Sequence, residues 1–358
     1  MNASGSTTHV ALTGTREVNA RHPFDEAALA RRLEQSLPGF GAPMRVLQFE
    51  GGQSNPTFLL ETSGGRYVLR KKPPGKLAPS AHAIDREYRV LRALHGQGLP
   101  VPRALLYCED DSIIGTPFYV MEHVAGRIFT DPTAPSLSAA ERFDAYDSMN
   151  AALAQLHQVD WRAAGLADFG RTERYVERQI ERWTRQYRDS RSETVAAMDQ
   201  VHQWLVANLP AEGPVAIAHG DYRIGNLLYD ERRPVVAAVL DWELATLGHP
   251  YADLAFNCMT YRLPPGDPLV PGLSGLDLAA LGIPSEDEYL RAYARRTGSD
   301  PRPQWRFFMA FSLYRAAAIQ HGVYARARAG AASSGLAERF GALHRVTAEA
   351  AWRVICEP

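Results

Sequence analysis

Cysteine is nearly missing. Cys108, Cys258 and Cys356 are the only three in 358 residues, far apart and without a C-x-x-C spacing. A disulfide framework and a thiolate zinc site are excluded on that count, and a reducing, cytoplasmic setting is the expectation. No apolar stretch approaches the roughly 20 residues of a membrane helix. The run Val235–Leu240 is only strand-sized. Charge of one sign is not in excess either, with 39 Lys+Arg against 40 Asp+Glu. Neither a nucleic-acid nor a membrane partner is expected from that balance. Internal repeats are absent, and the first residues (1–20) lack an apolar signal core, so they read as a mobile tail. Disordered, collagen-like and coiled-coil classes fall away too, since 46% of residues are hydrophobic and 22% charged, ordinary for a globular protein.

What is present divides into two characters. Val46–Glu50, Thr57–Thr62 and Tyr67–Lys71 are short β-rich runs separated by glycine-containing turns, the pattern of an antiparallel meander. A helix is expected from about Ala81 to Gly96, with Ile84, Leu91 and Leu94 on its apolar stripe. Two further strands, about Ala104–Cys108 and Pro117–His123, lead to a hinge near residues 122–126. From Ser138 the pattern turns helical. Ser138-Ala139-Ala140-Glu141 is a capping box, and Phe143, Tyr146, Met149, Leu153 and Leu156 follow at helical spacing. Short strands are expected at Val215–Ala218, Asn226–Tyr229 and Val235–Leu240, and a late helix through Phe307, Phe311, Tyr314 and Ala318. A small β-rich lobe and a larger helical lobe result.

The chemistry concentrates in His219-Gly220-Asp221-Tyr222-Arg223-Ile224-Gly225-Asn226 and in Asp241, all on loops at strand ends. Two carboxylates and a carboxamide make an oxygen-rich set of the kind Mg²⁺ prefers, with places left for water and phosphate. The segment resembles the aminoglycoside phosphotransferase family, which shares the protein-kinase-like fold. The matching motif is H-x-D-x-x-x-x-N followed by a metal-binding Asp. The resemblance implies an α+β, protein-kinase-like bilobal fold, with a small antiparallel N-lobe (21–124, nucleotide) and a larger, mainly helical C-lobe (125–358, catalytic loop and acceptor). It implies Asp221 as the catalytic base, His219 as support for the catalytic loop, Asn226 and Asp241 as Mg²⁺ ligands, and ATP as the phosphoryl donor. Downstream, Gly248-His249-Pro250 departs from the family's usual Gly-Asp-Pro, and Asp253 resembles a helix-borne carboxylate that braces the loop through its amides.

A kinase also needs a cation on the phosphates, paired to a helix Glu. In Tyr67-Val68-Leu69-Arg70-Lys71-Lys72 strand alternation puts Val68 and Arg70 on one face, Leu69 and Lys71 on the other. Alignment on the kinase V-A-I-K favours Arg70, with Lys71 and Lys72 as alternatives. Glu87 falls on the apolar stripe with Ile84, Leu91 and Leu94, where a carboxylate is costly unless paired, and Arg70 is its natural partner. The turn Gly51-Gly52-Gln53-Ser54-Asn55 sits where a phosphate-covering loop belongs, which makes Gly52 and Ser54 candidate nucleotide contacts; the protein-kinase G-x-G-x-x-G is absent. By resemblance, Met121 lies behind the adenine, and the Glu122 carbonyl and Val124 amide meet its edge.

More narrowly, the residues from Leu69 to Gly75 and from Ser80 to Tyr88 resemble the kinase-like domain associated with acyl-CoA dehydrogenases. That likeness implies a small-molecule O-phosphotransferase with a hydroxyl acceptor, a hydroxyacyl-CoA being favoured. From Tyr261 to Pro358 the 12 Arg and nine acids leave +3, which suits an anionic acceptor, and Arg315, Arg326 and Arg328 are the arginines to test. The alternatives are an aminoglycoside or macrolide phosphotransferase and, in another class, a dehydrogenase-associated or nucleotide-binding protein without kinase activity. No flavin or dehydrogenase signature is visible.

Overall fold

A computed structural model describes residues 14–19, 23–50, 55–73, 83–190, 194–267, 270–328 and 334–357, without the side chains of 327 and 334–340. The chain divides into two compact units.

The first unit holds the described residues through Ile128, together with Leu227–Arg232 and Ala237–Glu243. Its elements are β1 (Thr15–Arg16), α1 (Glu26–Ser36), β2 (Arg45–Phe49), β3 (Thr57–Thr62), β4 (Gly65–Lys71), α2 (Ile84–His95), β5 (Ala104–Cys108), β6 (Phe118–Glu122) and β7 (Arg127–Ile128). Six strands form one sheet in the order β1-β2-β3-β4-β6-β5, with every assigned pair antiparallel. Thr15–Arg16, inside the stretch read from sequence as a tail, pairs with Gln48 and Phe49 at the sheet's edge.

Pleat alternation gives this sheet two buried faces. Phe58, Leu60, Leu69, Phe118 and Val120 pack in one cluster with Leu29, Leu33 and Leu37 of the α1 segment. Leu29 and Leu33 are one helical turn apart and fully buried, and Asp25 caps that helix by accepting from Ala28 N. The opposite face carries Val68, Arg70, Tyr119 and Met121. Helix α2 buries Ile84, Glu87, Val90, Leu91 and Leu94 and packs on β5 and β6.

A smaller sheet, in the order β10-β9-β7, joins β7 to β9 (Leu227–Tyr229) and β10 (Val236–Val239). Contiguous lobes of 21–124 and 125–358 therefore do not describe this division. The backbone of 127–128 is hydrogen-bonded to 228–229, and Val239 N reaches Pro100 O, which ties two later stretches into the first unit.

The second unit holds Phe129–Asn226, Arg233–Val236 and the described residues from Leu244 onward. It contains α3 (Ala139–Gln158), α4 (Tyr175–Ser190), α5 (Ala196–Ala207), β8 (Ala216–Ala218), β11 (Thr246–Gly248), α6 (Pro250–Cys258), α7 (Leu278–Leu281), α8 (Glu286–Thr297), α9 (Trp305–Arg328) and α10 (Ser334–Cys356). Strands β8 and β11 pair antiparallel. The expected capping box forms, with Glu141 N donating to Ser138 Oγ and Ser138 N to Glu141 Oε2. Tyr146, Met149, Leu153 and Leu156 are buried along α3, whereas Phe143 is 54% exposed, against the expectation from its spacing.

Candidate active site

In the first unit, the alternation of β4 decides which cation meets Glu87. Arg70 lies on the α2 face, with its Nε 2.8 Å from Glu87 Oε2 and its terminal nitrogen 2.9 Å from Asp241 Oδ1. Lys71 points to the other face, where its Nζ sits 4.9 Å from the centre of the Phe24 ring. Glu87 is 1% exposed. Besides Arg70 it accepts from Asn55 Nδ2 at 2.8 Å and from Tyr119 Oη at 3.0 Å. A buried carboxylate is tolerable only with such a full set of partners. Burial pushes the Glu87 carboxyl up, and Arg70 foremost pulls it back. Burial alone would lower the Arg70 guanidinium, but the charges around it, Glu87 first and Asp241 and Glu243 after, hold it protonated far above its ordinary range. Asn55 and Tyr119, both fully or nearly fully buried, belong to this cluster and carry no distinguishing sequence signal.

Asp241 has φ +65°, the left-handed region that costs a residue with a Cβ. Its side chain is 35% exposed, so the carboxylate is in reach of solvent while one oxygen is held by Arg70.

Met121 is buried in β6, opposite Val68, and Glu122 ends that strand opposite Tyr67. Glu122 Oε1 accepts from Arg103 N at 2.9 Å. Val124 follows in the connection to β7. Gly52 and Ser54 lie outside the described residues.

In the second unit, His219–Asn226 leaves β8 as a loop whose backbone is held by side chains. His219 N and Gly220 N donate to the two carboxylate oxygens of Asp253, the latter at 2.8 Å. Asp221 N donates to His219 Nδ1 at 3.2 Å, which fixes that ring nitrogen as an acceptor. Asn226 Nδ2 donates at 2.8 Å to both the carbonyl and Oδ2 of Asp221. Gly220 has φ +84°, and a Cβ there would stand 2.7 Å from the Leu244 carbonyl oxygen, so only glycine fits.

Asp253 sits in the first turn of α6, 1% exposed. His157 Nε2 lies 3.5 Å from it, and the other nitrogen of His157 is 2.7 Å from Tyr293 Oη. Burial alone would push the Asp253 carboxyl up, but His157 first, then His219 and the Gly220 amide, hold it below the usual range. His157 has no motif to announce it; it reads as one more basic residue in the last turn of a helix.

His249, the departure from Gly-Asp-Pro, is the N-cap of α6. Its Nδ1 accepts from Tyr251 N at 3.2 Å, the bond that an Asp side chain would accept at this position. The ring stacks on Phe308 at 4.4 Å between centroids, and burial lowers its pKa to about 4. A neutral imidazole therefore replaces the capping carboxylate.

Arg315 corrects a sequence expectation. It is 5% exposed and donates to the Gly220 carbonyl, so it is no solvent-facing acceptor contact. Several other arginines behind the +3 count are consumed as well: Arg262 pairs with Glu286 and Glu357, Arg291 with Asp287, and Arg296 with Asp147. Arg326 and Arg328 remain exposed.

A loop that presents an Asp and an Asn, and a cation–carboxylate cluster with an accessible Asp, are the parts a phosphoryl-transfer enzyme uses. A model of the phosphotransferase enzyme family matches residues 45–308. The chain belongs to that family. A Ralstonia eutropha crystal structure, assigned to the aminoglycoside phosphotransferases, superposes with a TM-score of 0.84 at 44% identity, over 93% of this chain and 98% of that one. Choline kinase from Cryptosporidium parvum shares the fold, with a TM-score of 0.64 at 13% identity over 92% and 96% of the two chains. Mouse acyl-CoA dehydrogenase family member 10 is 44% identical over 96% of this chain, and rat member 11 is 46% identical over 87%. The chain spans only 32% and 41% of those two relatives' lengths. The α+β, protein-kinase-like architecture expected from the motifs is the architecture of the family.

Proposed function

We propose that the chain is an ATP-dependent phosphotransferase that moves the γ-phosphoryl group to the hydroxyl of a small molecule. The observation that carries this reading is the Asp221–Asn226 arrangement. Asn226 spends its amide nitrogen on Asp221, which turns its carbonyl oxygen, the atom a hard cation would take, away from that contact. Asp221 is thereby oriented on a glycine-hinged loop, suited to accept the proton of an attacking hydroxyl. In the first unit Arg70 supplies the charge for the phosphates, and Glu87 keeps it in place.

Among the described residues no three His, Cys, Asp or Glu side chains converge as a metal cage. Mg²⁺ on a nucleotide does not require one, because phosphates and water complete its shell. Asn226 in the second unit and Asp241 in the first each offer an oxygen of the kind Mg²⁺ takes, and when bound the ion would offset phosphate charge.

For the acceptor, the mouse and rat relatives are named for acyl-CoA dehydrogenation, which leads us to favour a hydroxyl on an acyl-CoA, a hydroxyacyl-CoA, while the Ralstonia structure's assignment favours an aminoglycoside. An ATP-consumption screen against hydroxyacyl-CoAs, aminoglycosides, macrolides and sugars separates them. ADP release that depends on a hydroxyacyl-CoA supports the favoured acceptor. Turnover of aminoglycosides alone reverses that choice, and no ADP release with any class removes the phosphotransferase reading.

A further inference from the structure

Arg315 is a buried cation in an unusual situation. It projects from the middle of α9, 5% exposed, and no described carboxylate lies within ion-pair distance of it. Aromatic faces surround it instead, with the Trp183 centroid 5.5 Å and the Phe256 centroid 5.1 Å from its guanidinium carbon. Its Nε makes no hydrogen bond among the described residues. The polar contact it does make is with the carbonyl of Gly220. A buried guanidinium without a counter-charge is expensive, and a neutral donor would satisfy one carbonyl as well. The position therefore calls for a reason beyond satisfying a hydrogen bond.

The reason lies on the other side of the same residue. Gly220 N donates to Asp253, a buried carboxylate, and Gly220 O accepts from Arg315, a buried cation. Asp253 and Phe256 are three residues apart on α6, and Ser312 and Arg315 are three apart on α9, where Ser312 Oγ also donates to Ala252 O. One helix–helix contact thus delivers opposite charges to the two ends of one glycine. The next residue is Asp221, whose own amide and carbonyl are held by His219 and Asn226.

We infer that Arg315 is a positioning residue: with Asp253 it holds the two successive peptides that flank the Gly220 Cα, one by its carbonyl and the other by its amide, and this pair of opposite charges sets the orientation of the Asp221 loop. The catalytic consequence rests on the role proposed above for Asp221; the clamp itself does not. The cation is needed because its charge on Gly220 O polarises the Gly220–Asp221 peptide and strengthens the hydrogen bond that Asp221 N, at the other end of that peptide, donates to His219 Nδ1.

Amide hydrogen exchange and ADP release test this together in the full chain. Arg315→Met should speed exchange in the 216–226 segment by tenfold or more, with exchange elsewhere in the second unit unchanged. Arg315→Lys should restore most of the protection, because it keeps the charge. In Arg315→Ala, millimolar methylguanidinium should slow exchange in that segment again and leave the wild type unaffected. If ADP is released, kcat should fall by 10-fold or more in Arg315→Met while KM for ATP stays within twofold. Unchanged exchange in 216–226, acceleration spread evenly over the unit, or rescue absent in both the lysine variant and methylguanidinium would overturn the inference. Wild-type protein that releases no ADP would defeat the proposed function, and the exchange measurements would still decide the clamp.

Discussion

The two units hold their candidate residues by different means. In the first, charge meets charge: Arg70 is shared by Glu87 and Asp241, and neutral donors complete the carboxylate. In the second, the main chain itself is gripped, with side chains from α6 and α9 on the amides and carbonyl of residues 219–220. A cation among carboxylates can trade a partner for a phosphate oxygen at little geometric cost. A backbone held at both ends has one solution, and fixes the direction of the side chain that follows. The first arrangement suits a ligand that comes and goes; the second suits a group whose position decides a rate.

Replacing the group the second arrangement presents should have the largest effect. Asp221→Asn should lower kcat by about 10²–10⁴, the usual worth of a general base, with ATP affinity near normal. Calorimetric ATP titration beside steady-state rates checks it, and full activity would take Asp221 out of the mechanism. Next comes the ion cluster. Glu87→Ala leaves Arg70 buried with Asp241 alone and should cost about 3–5 kcal/mol of stability. The double variant Glu87→Leu/Arg70→Met should recover most of that loss in denaturant unfolding while abolishing nucleotide binding. If both variants are equally unstable, the cluster is held by packing and not by charge. Asp241→Ala should weaken ATP binding by roughly 10–100-fold in the presence of Mg²⁺, the worth of a charged contact, and much less in its absence. Equal losses with and without the ion would place the metal elsewhere.

The smallest effect concerns the cap. His249 has its folded pKa lowered to about 4, below the ordinary value of 6.5. The unfolded chain therefore binds the extra proton first as pH falls. The contribution is fully present above pH 6.5 and is lost between there and about 4, where protonation also removes the acceptor that Tyr251 N needs. His249→Asp should cap without this titration, and His249→Ala should cost about 1 kcal/mol at pH 8. Unfolding midpoints at pH 8 and 5 distinguish the three; a wild-type curve parallel to that of His249→Asp would show that the imidazole does not titrate with folding.

Much of this was legible before any coordinates. Pleat alternation in β4 and helical spacing in α2 suffice to bring Arg70 to Glu87, because both rules act within a few residues. The expected strands fall within about two residues of the observed ones, since a glycine, proline or aspartate stands near their ends. Arg315 is different. It lies 95 residues from Gly220, and its contact depends on how α9 meets α6, which no local pattern encodes. Phe143 shows the complementary failure: spacing assigns it a face of α3 but says nothing about how far along the helix that face is covered. The acceptor resisted for a third reason. Counting arginines gives a net charge, and the fold spends several of them on neighbouring acids.

The stitching of the first unit from separated stretches has a consequence for how the protein is made. Arg70 and Asp241 are 171 positions apart, and strands β9 and β10 emerge from the ribosome only after the 98 residues from Phe129 to Asn226. At about 5–20 residues per second, the interval between the synthesis of Ile128 and that of Glu243 is on the order of ten seconds. During that time β7 has no partner strand and Arg70 has Glu87 alone. The nascent sheet must wait, and a shortened gene that stops after residue 128 would leave it waiting permanently. Any piece meant to carry the Arg70 cluster by itself has to include the chain through Glu243 or supply that stretch as a second fragment.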